Sequence, residues 1–145
     1  MTYPDLERFI EAHKQSYRSA LSEIRKGRKT SHWMWYIFPQ LAGLGHSPKS
    51  EYYAISNLDE AASFLQNPFL GGNLREICHA LLALKTDNAT EVFGKPDDMK
   101  LRSSMTLFSL AEGADPVFQD VLDRFFGGRP DSITLKLLGL NTKGE

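Results

Sequence analysis

The sequence predicts an all-α fold of about seven helices built as one domain. Three observations carry that expectation. Apolar residues recur at helical spacing in the long segments, helix-start signals made of Asn, Asp and Pro stand ahead of them, and no run alternates with period two for more than a few residues. Residues 92–93 and 134–138 are the two places where a short strand would fit.

Over residues 5–26, Leu6, Phe9, Ile10, Tyr17, Leu21 and Ile24 recur at helical spacing, with Pro4 and Asp5 at the start and Gly27 past the end. Arg25, Lys26, Arg28 and Lys29 crowd its C-terminus, where cations meet the negative end of the helix dipole; the same cluster also reads as an anion site. Residues 31–38 are aromatic throughout and carry no period, and Ser31 as an N-cap favours a short helix over a buried strand. Gly43, Gly45, Pro48 and several serines make 41–50 a loop, followed by a single turn or short helix at 51–55.

Asn57 stands three before Glu60, the capping-box spacing, and Ala61, Ala62, Phe64 and Leu65 follow as helix body. Asn67-Pro68 starts another helix, because proline is preorganised for the first helical position. Leu70, Leu74, Ile77, Leu81 and Leu84 form its face, while Gly71 and Gly72 weaken its first turn. Residues 97–111 read as a helix after Pro96, Asp115-Pro116 opens the next, closed by Gly127-Gly128, and Asp131 caps a short last one. The domain is drawn over 1–140, with 141–145 as a short tail.

A chain of 145 residues with 41% hydrophobic and 24% charged residues can close one core without metal or disulfide staples. Seventeen basic against eighteen acidic residues give no global field to steer it to nucleic acid or an anionic membrane, so any anion site is local. Cys78 stands alone, which excludes an internal disulfide and a C-x-x-C motif and favours a reducing compartment. No apolar leader and no membrane-length apolar run is present, making the cytoplasm the expected location.

Four stretches carry a family likeness: His32-Trp-Met-Trp-Tyr-Ile-Phe-Pro-Gln40; Gly43-Leu-Gly-His-Ser47 leading to Tyr53-Ala-Ile55; residues 98–108; and Asp131-Ser-Ile-Thr-Leu135. Together they resemble the Rv1873-like (DUF1810) family over nearly the whole chain, which implies a compact, mainly helical fold and no established activity. Some members carry the name calpastatin, but calpain inhibitors are disordered polar repeats, which this composition contradicts. Phe64-Leu-Gln-Asn-Pro-Phe-Leu70 with Leu74, Tyr53 and Glu60-Ala61 is similar to the NADAR family. That similarity implies ADP-ribose or N-glycosidic chemistry.

Among residues able to carry chemistry, Lys100, Ser103 and Ser104 share a helix face, so one ammonium can reach two hydroxyls. The order is the reverse of S-x-x-K, and the competing reading has both serines bonded back to carbonyls one turn earlier. His32, a residue type that can serve as acid or base, stands beside Trp33 and Trp35 and is the acid–base candidate; a helix-end role is its alternative. Trp35, if it lines a cleft rather than the core, offers a flat face to a nucleobase or sugar. The loop over 43–50 has glycines, hydroxyls and a lysine suited to a phosphate, without the P-loop order.

The histidines show no i, i+4 pair, and neither a metal nor a cofactor is called for. These readings make His32, Lys100 and Ser103 the catalytic candidates and Trp35, Gln40, Ser47, Tyr53 and Ser104 the binding candidates for a small nucleotide-like or phosphorylated ligand. A non-catalytic interaction or structural module is the alternative.

Overall fold

The structure is a computed structural model that describes residues 6–140; Pro4, Asp5 and the expected tail at 141–145 lie outside the described residues. In chain order the helices are α1 (Leu6–Arg25), α2 (Met34–Ile37), α3 (Pro48–Tyr52), α4 (Leu58–Gln66), α5 (Pro68–Leu82), α6 (Ala89–Phe93), α7 (Asp97–Ser109), α8 (Val117–Phe126) and α9 (Ser132–Leu137). The all-α expectation holds: among the described residues there is no strand, only one parallel bridge between Leu41 and Ile55. None of these helices is long and apolar enough to cross a membrane.

The helices begin where short polar side chains satisfy orphan backbone N–H groups. Asn57 accepts from the Glu60 amide, Asn67 from Phe69 and Leu70, and Asp131 from Thr134, as the sequence predicts. Of the single-turn helices, α6 exceeds the expected set, and α3 is the turn or short helix expected at 51–55 begun three residues earlier. Ser47 caps α3 inside the stretch expected to be loop, and Asn88 caps α6, where Val92 and Phe93 are helical rather than extended. Residues 134–138 likewise fall in α9 and its end. Ser31 does not cap α2, which starts at Trp33 without a side-chain cap; its hydroxyl turns to Glu23 instead.

At 1.5 Å per residue the 20 residues of α1 make a helix about 30 Å long. It packs on α5, which also meets α4 and α8; α7 lies against α8, α4, α6 and α9. A chain of phenylalanines ties these layers together: Phe9 meets Phe64 at 5.2 Å between ring centres, Phe64 meets Phe108 at 5.3 Å, and Phe108 meets Phe118 at 5.9 Å. Trp33, Phe38 and Phe93 form a second aromatic group beside α2 and α6.

Gly71 has a packing reason that propensity alone does not show. A Cβ there would run into the backbone carbonyl of Leu65 at the end of α4, so the glycine lets α4 and α5 meet at Asn67. Gly72, one residue on, faces open space. We expect Gly71→Ala to cost about 2 kcal/mol through overpacking despite alanine's better helix propensity, and Gly72→Ala to stabilise by a few tenths to about 1 kcal/mol. Urea denaturation of both variants checks the contrast, and equal effects would remove the steric explanation.

Candidate functional site

Glu23, late in α1, fixes the chain that leads to the site. Its carboxylate accepts hydrogen bonds from the Thr30 amide (2.8 Å), the Ser31 amide (3.0 Å) and hydroxyl (2.6 Å), and Trp33 Nε1 (2.9 Å). Burial works against the charge, but these donors outweigh it and hold the carboxyl down at about 2. The connection into α2 is thereby pinned with Trp33 in the core at 1% exposure. Trp35 is left half-buried at the surface.

Around Trp35, lysines from distant parts of the chain converge. Lys49 of α3 places its ammonium 4.8 Å from the centre of the ring, and Lys100 of α7 lies at 6.0 Å. An ammonium is drawn to the negative face of an indole, which holds it there without neutralising it. Lys100 also reaches one oxygen of Asp97 at 3.5 Å, while the other oxygen binds Lys29 at 2.9 Å. Lys29 in turn lies 5.1 Å from the Trp33 ring. Two ammoniums, Lys29 and Lys100, thus share the Asp97 carboxylate, and a third, Lys49, lies with Lys100 beside the partly exposed Trp35 ring.

Trp35 and Lys100 are therefore brought together. Ser103 is buried, and its hydroxyl donates to the Met99 carbonyl one turn back at 3.2 Å. Ser104 is fully buried, and its Oγ has no hydrogen-bond partner among the described residues. Ser47 accepts from the Ser50 amide (3.1 Å) and donates to the Ser50 hydroxyl (2.9 Å), so it organises the helix that carries Lys49. The Gln40 carbonyl takes the Ile55 amide at 2.9 Å, within the parallel bridge. Tyr53 packs on Tyr36 and Tyr52, with ring centres 5.1 and 4.8 Å away. His32 is exposed.

The unpartnered Ser104 hydroxyl has a measurable consequence. A buried hydroxyl without a partner loses its hydration and gains nothing in return, so Ser104→Ala is expected to be neutral or to stabilise by about 1 kcal/mol in thermal unfolding. Destabilisation of a similar size would show that the hydroxyl is satisfied in solution.

Two buried groups that the sequence reading did not single out hold the scaffold. His13 Nε2 donates to the Tyr36 carbonyl at 2.8 Å, and Nδ1 accepts from the Asn73 amide at 3.1 Å. A carbonyl only accepts and an amide nitrogen only donates, so this is the neutral tautomer with its proton on Nε2. Its spacing, four after Phe9 and four before Tyr17 on the buried face of α1, is the signal that marks it. Arg8 is the second group: it donates to the Tyr52 (2.6 Å) and Ala54 (2.8 Å) carbonyls and pairs with buried Glu60 at 3.4 Å.

The lone cysteine offers no nucleophile. Cys78 is fully buried, and burial, helped by the charge of Asp115, pushes its thiol far above neutral pH.

A cleft of about 780 Å³ opens beside α1, α2 and α3, and Lys49 and Tyr53 both line it. Lys49 therefore faces both this cleft and the Trp35 ring.

Comparison with known proteins gives a relationship without an activity. No curated protein matches the chain. A crystal structure of the conserved hypothetical protein Rv1873 from Mycobacterium tuberculosis is similar at a TM-score of 0.91 and 45% identity, covering 94% of this chain and 98% of that one. The family model described as a protein of unknown function, DUF1810, matches residues 3–138. With nearly its whole length matched by that model and by a closely similar fold, the chain belongs to the DUF1810 family.

Proposed function

We propose that this protein binds a small anionic ligand carrying a planar ring, a nucleotide-like or phosphorylated molecule, at the Trp35 face between Lys49 and Lys100. The observation that carries the reading is the convergence of two ammoniums from α3 and α7 on one half-buried indole. A phosphate there replaces part of each lysine's hydration with charge-assisted hydrogen bonds, and a base or other flat ring stacks on the indole. Helix α3 is a single turn capped by Ser47, so the lysine it carries is held by local hydrogen bonds rather than left on a free loop.

The proposal is one of binding, not bond cleavage. A serine activated by lysine must turn its hydroxyl to the amine, whereas the Ser103 hydroxyl is engaged by the Met99 carbonyl.

Calorimetric titration of the wild type, Lys49→Ala and Lys100→Ala with AMP, ADP, ADP-ribose and inorganic phosphate tests this. A ring-bearing phosphate is expected to bind, and each lysine removed should weaken it about tenfold, equivalent to about 1.4 kcal/mol. Phosphate alone should bind more weakly than the nucleotides. Lys100→Ala should change folding stability by less than about 1 kcal/mol, because the ion pair it loses is partly exposed and Asp97 keeps Lys29. Absence of heat with every ligand at millimolar concentration would reject the proposal.

A further inference from the structure

The cleft beside α1 and α3 carries a charge opposite to that of the lysine cluster. Glu7 and Glu11 of α1 and Glu51 of α3 line it against Lys49, which is drawn toward the Trp35 ring at 4.8 Å. Arg8 lies in the same wall, but its charge is met by buried Glu60 at 3.4 Å. Glu11 has an exposed i, i+3 partner, Lys14 at 3.6 Å, a weak kind of pair. Neither the Glu7 nor the Glu51 carboxylate meets a cation among the described residues. The cleft therefore offers an excess of negative charge to a solute.

The acceptors on α1 form a row. Glu7, Glu11 and Gln15 follow at i, i+4 and i+8, so they stand on one stripe of the helix in steps of about 6 Å, about 12 Å in all. Like carboxylates one turn apart repel, and a cation laid along the stripe relieves that repulsion. The far wall adds aromatic surface. Tyr52 has its ring 60% exposed, too open to serve the core, and the planes of Tyr53 with Tyr52 and with Tyr36 are tilted by 78° and 56°. Rings tilted in this way turn π faces in more than one direction, and such faces attract alkylammonium groups. The segment is fixed in advance, because Arg8 grips the Tyr52 and Ala54 carbonyls and Tyr53 rests on Phe9 at 5.8 Å.

We infer that this cleft binds a linear polyamine, with its ammoniums on the Glu7, Glu11 and Glu51 carboxylates and its methylenes along the tyrosine wall. Ammoniums separated by three or four methylenes match the step between acceptors one helical turn apart. A single metal ion does not suit the same groups, since no cluster of three acidic, His or Cys side chains among the described residues is close enough to hold one. The volume of about 780 Å³ is in the ordinary range for a small-molecule pocket. The inference is independent of the anionic-ligand reading and shares only Lys49 with it.

Calorimetric titration of the full chain with spermidine, 1,4-diaminobutane and butylamine at fixed ionic strength tests this. Spermidine is expected to bind saturably, and the diamine at least about threefold more tightly than the monoamine. The double variant Glu7→Gln with Glu11→Gln should weaken spermidine about tenfold, and Tyr52→Ala about threefold. All three side chains are exposed, and Tyr52→Ala leaves in place the backbone carbonyl that Arg8 uses. Lys49→Ala should tighten spermidine about threefold while it weakens nucleotides, which separates this cleft from the Trp35 site. Absence of heat with spermidine at millimolar concentration overturns the inference and leaves the nucleotide titrations to decide the Trp35 reading. Equal affinity for diamine and monoamine overturns it as well. So does an equal loss of affinity on Glu112→Gln, an exposed carboxylate outside the cleft, because the attraction would then be diffuse.

Discussion

Replacing Arg8 with alanine is expected to destabilise the fold by about 3–5 kcal/mol, the usual cost of stranding one member of a buried ion pair. Arg8 and Glu60 have side-chain exposures of only 9% and 2%, so little water reaches either charge. Glu60 keeps the Ser56 amide as a donor at 2.7 Å, which softens its loss but does not neutralise it. The Tyr52 and Ala54 carbonyls lose their guanidinium donors in the same step. The pair joins α1 to the start of α4 and to the end of α3, so the damage should reach the segment carrying Tyr52 and Tyr53. Urea denaturation measures the loss, and a double variant, Arg8→Met with Glu60→Leu, should recover much of it because the unpaired charge is gone. A loss below about 1 kcal/mol in Arg8→Ala would mean that the pair is solvated.

Acid should weaken the fold through His13 well before carboxylates are protonated. The ring is buried, which lowers its pKa from 6.5 to about 4, and the hydrogen bond to the Tyr36 carbonyl recovers only part of that shift. Protonation would also put a second N–H against the Asn73 amide, where a donor already points at Nδ1. The unfolded chain therefore takes up a proton below pH 6.5 that the folded chain refuses until about pH 4. The His13 contribution is complete above pH 6.5 and declines as pH falls toward 4, by about 3 kcal/mol in all. Glu23 acts lower: its stabilisation is present above the ordinary carboxyl value of 4.5 and is lost as pH falls through about 2. Stability curves from pH 8 to 4 should show the first slope in the wild type and lose it in His13→Gln. An unchanged slope in that variant would assign the titration to another group.

Much of the architecture was legible because it is written in local signals. Asn57, Asn67 with Pro68, and Asp131 cap the helices they were expected to cap, since a short side chain reaches N–H groups only two or three residues away. Ser31 shows the limit of that logic: its hydroxyl had a stronger acceptor in Glu23, eight residues back across a turn. Val92 and Phe93 resemble a strand as a dipeptide, yet Asn88 and Gly94 bound them into a helical turn. Gly71 reads from sequence as a weakness and is a requirement of packing against Leu65.

The candidate site was legible in part. Trp35 and Lys100 were each visible as residue types suited to a ligand, and Lys49 belonged to a loop with phosphate-binding composition. Their meeting depends on how α2, α3 and α7 pack, which no local pattern records. The same holds for Arg8 with Glu60 and for His13 with Asn73, whose partners lie 52 and 60 residues away.

The measurement that bears most directly on the binding claim is the response of the two indole N–H resonances in a proton–nitrogen correlation spectrum during titration with ADP-ribose. Trp33 is buried with its Nε1 bound to Glu23, whereas Trp35 is half-exposed between Lys49 and Lys100. A saturable shift of the Trp35 signal, absent in Lys49→Ala and unaccompanied by movement of Trp33, is the predicted result. No movement of the Trp35 signal with this or any other nucleotide at millimolar concentration would contradict it.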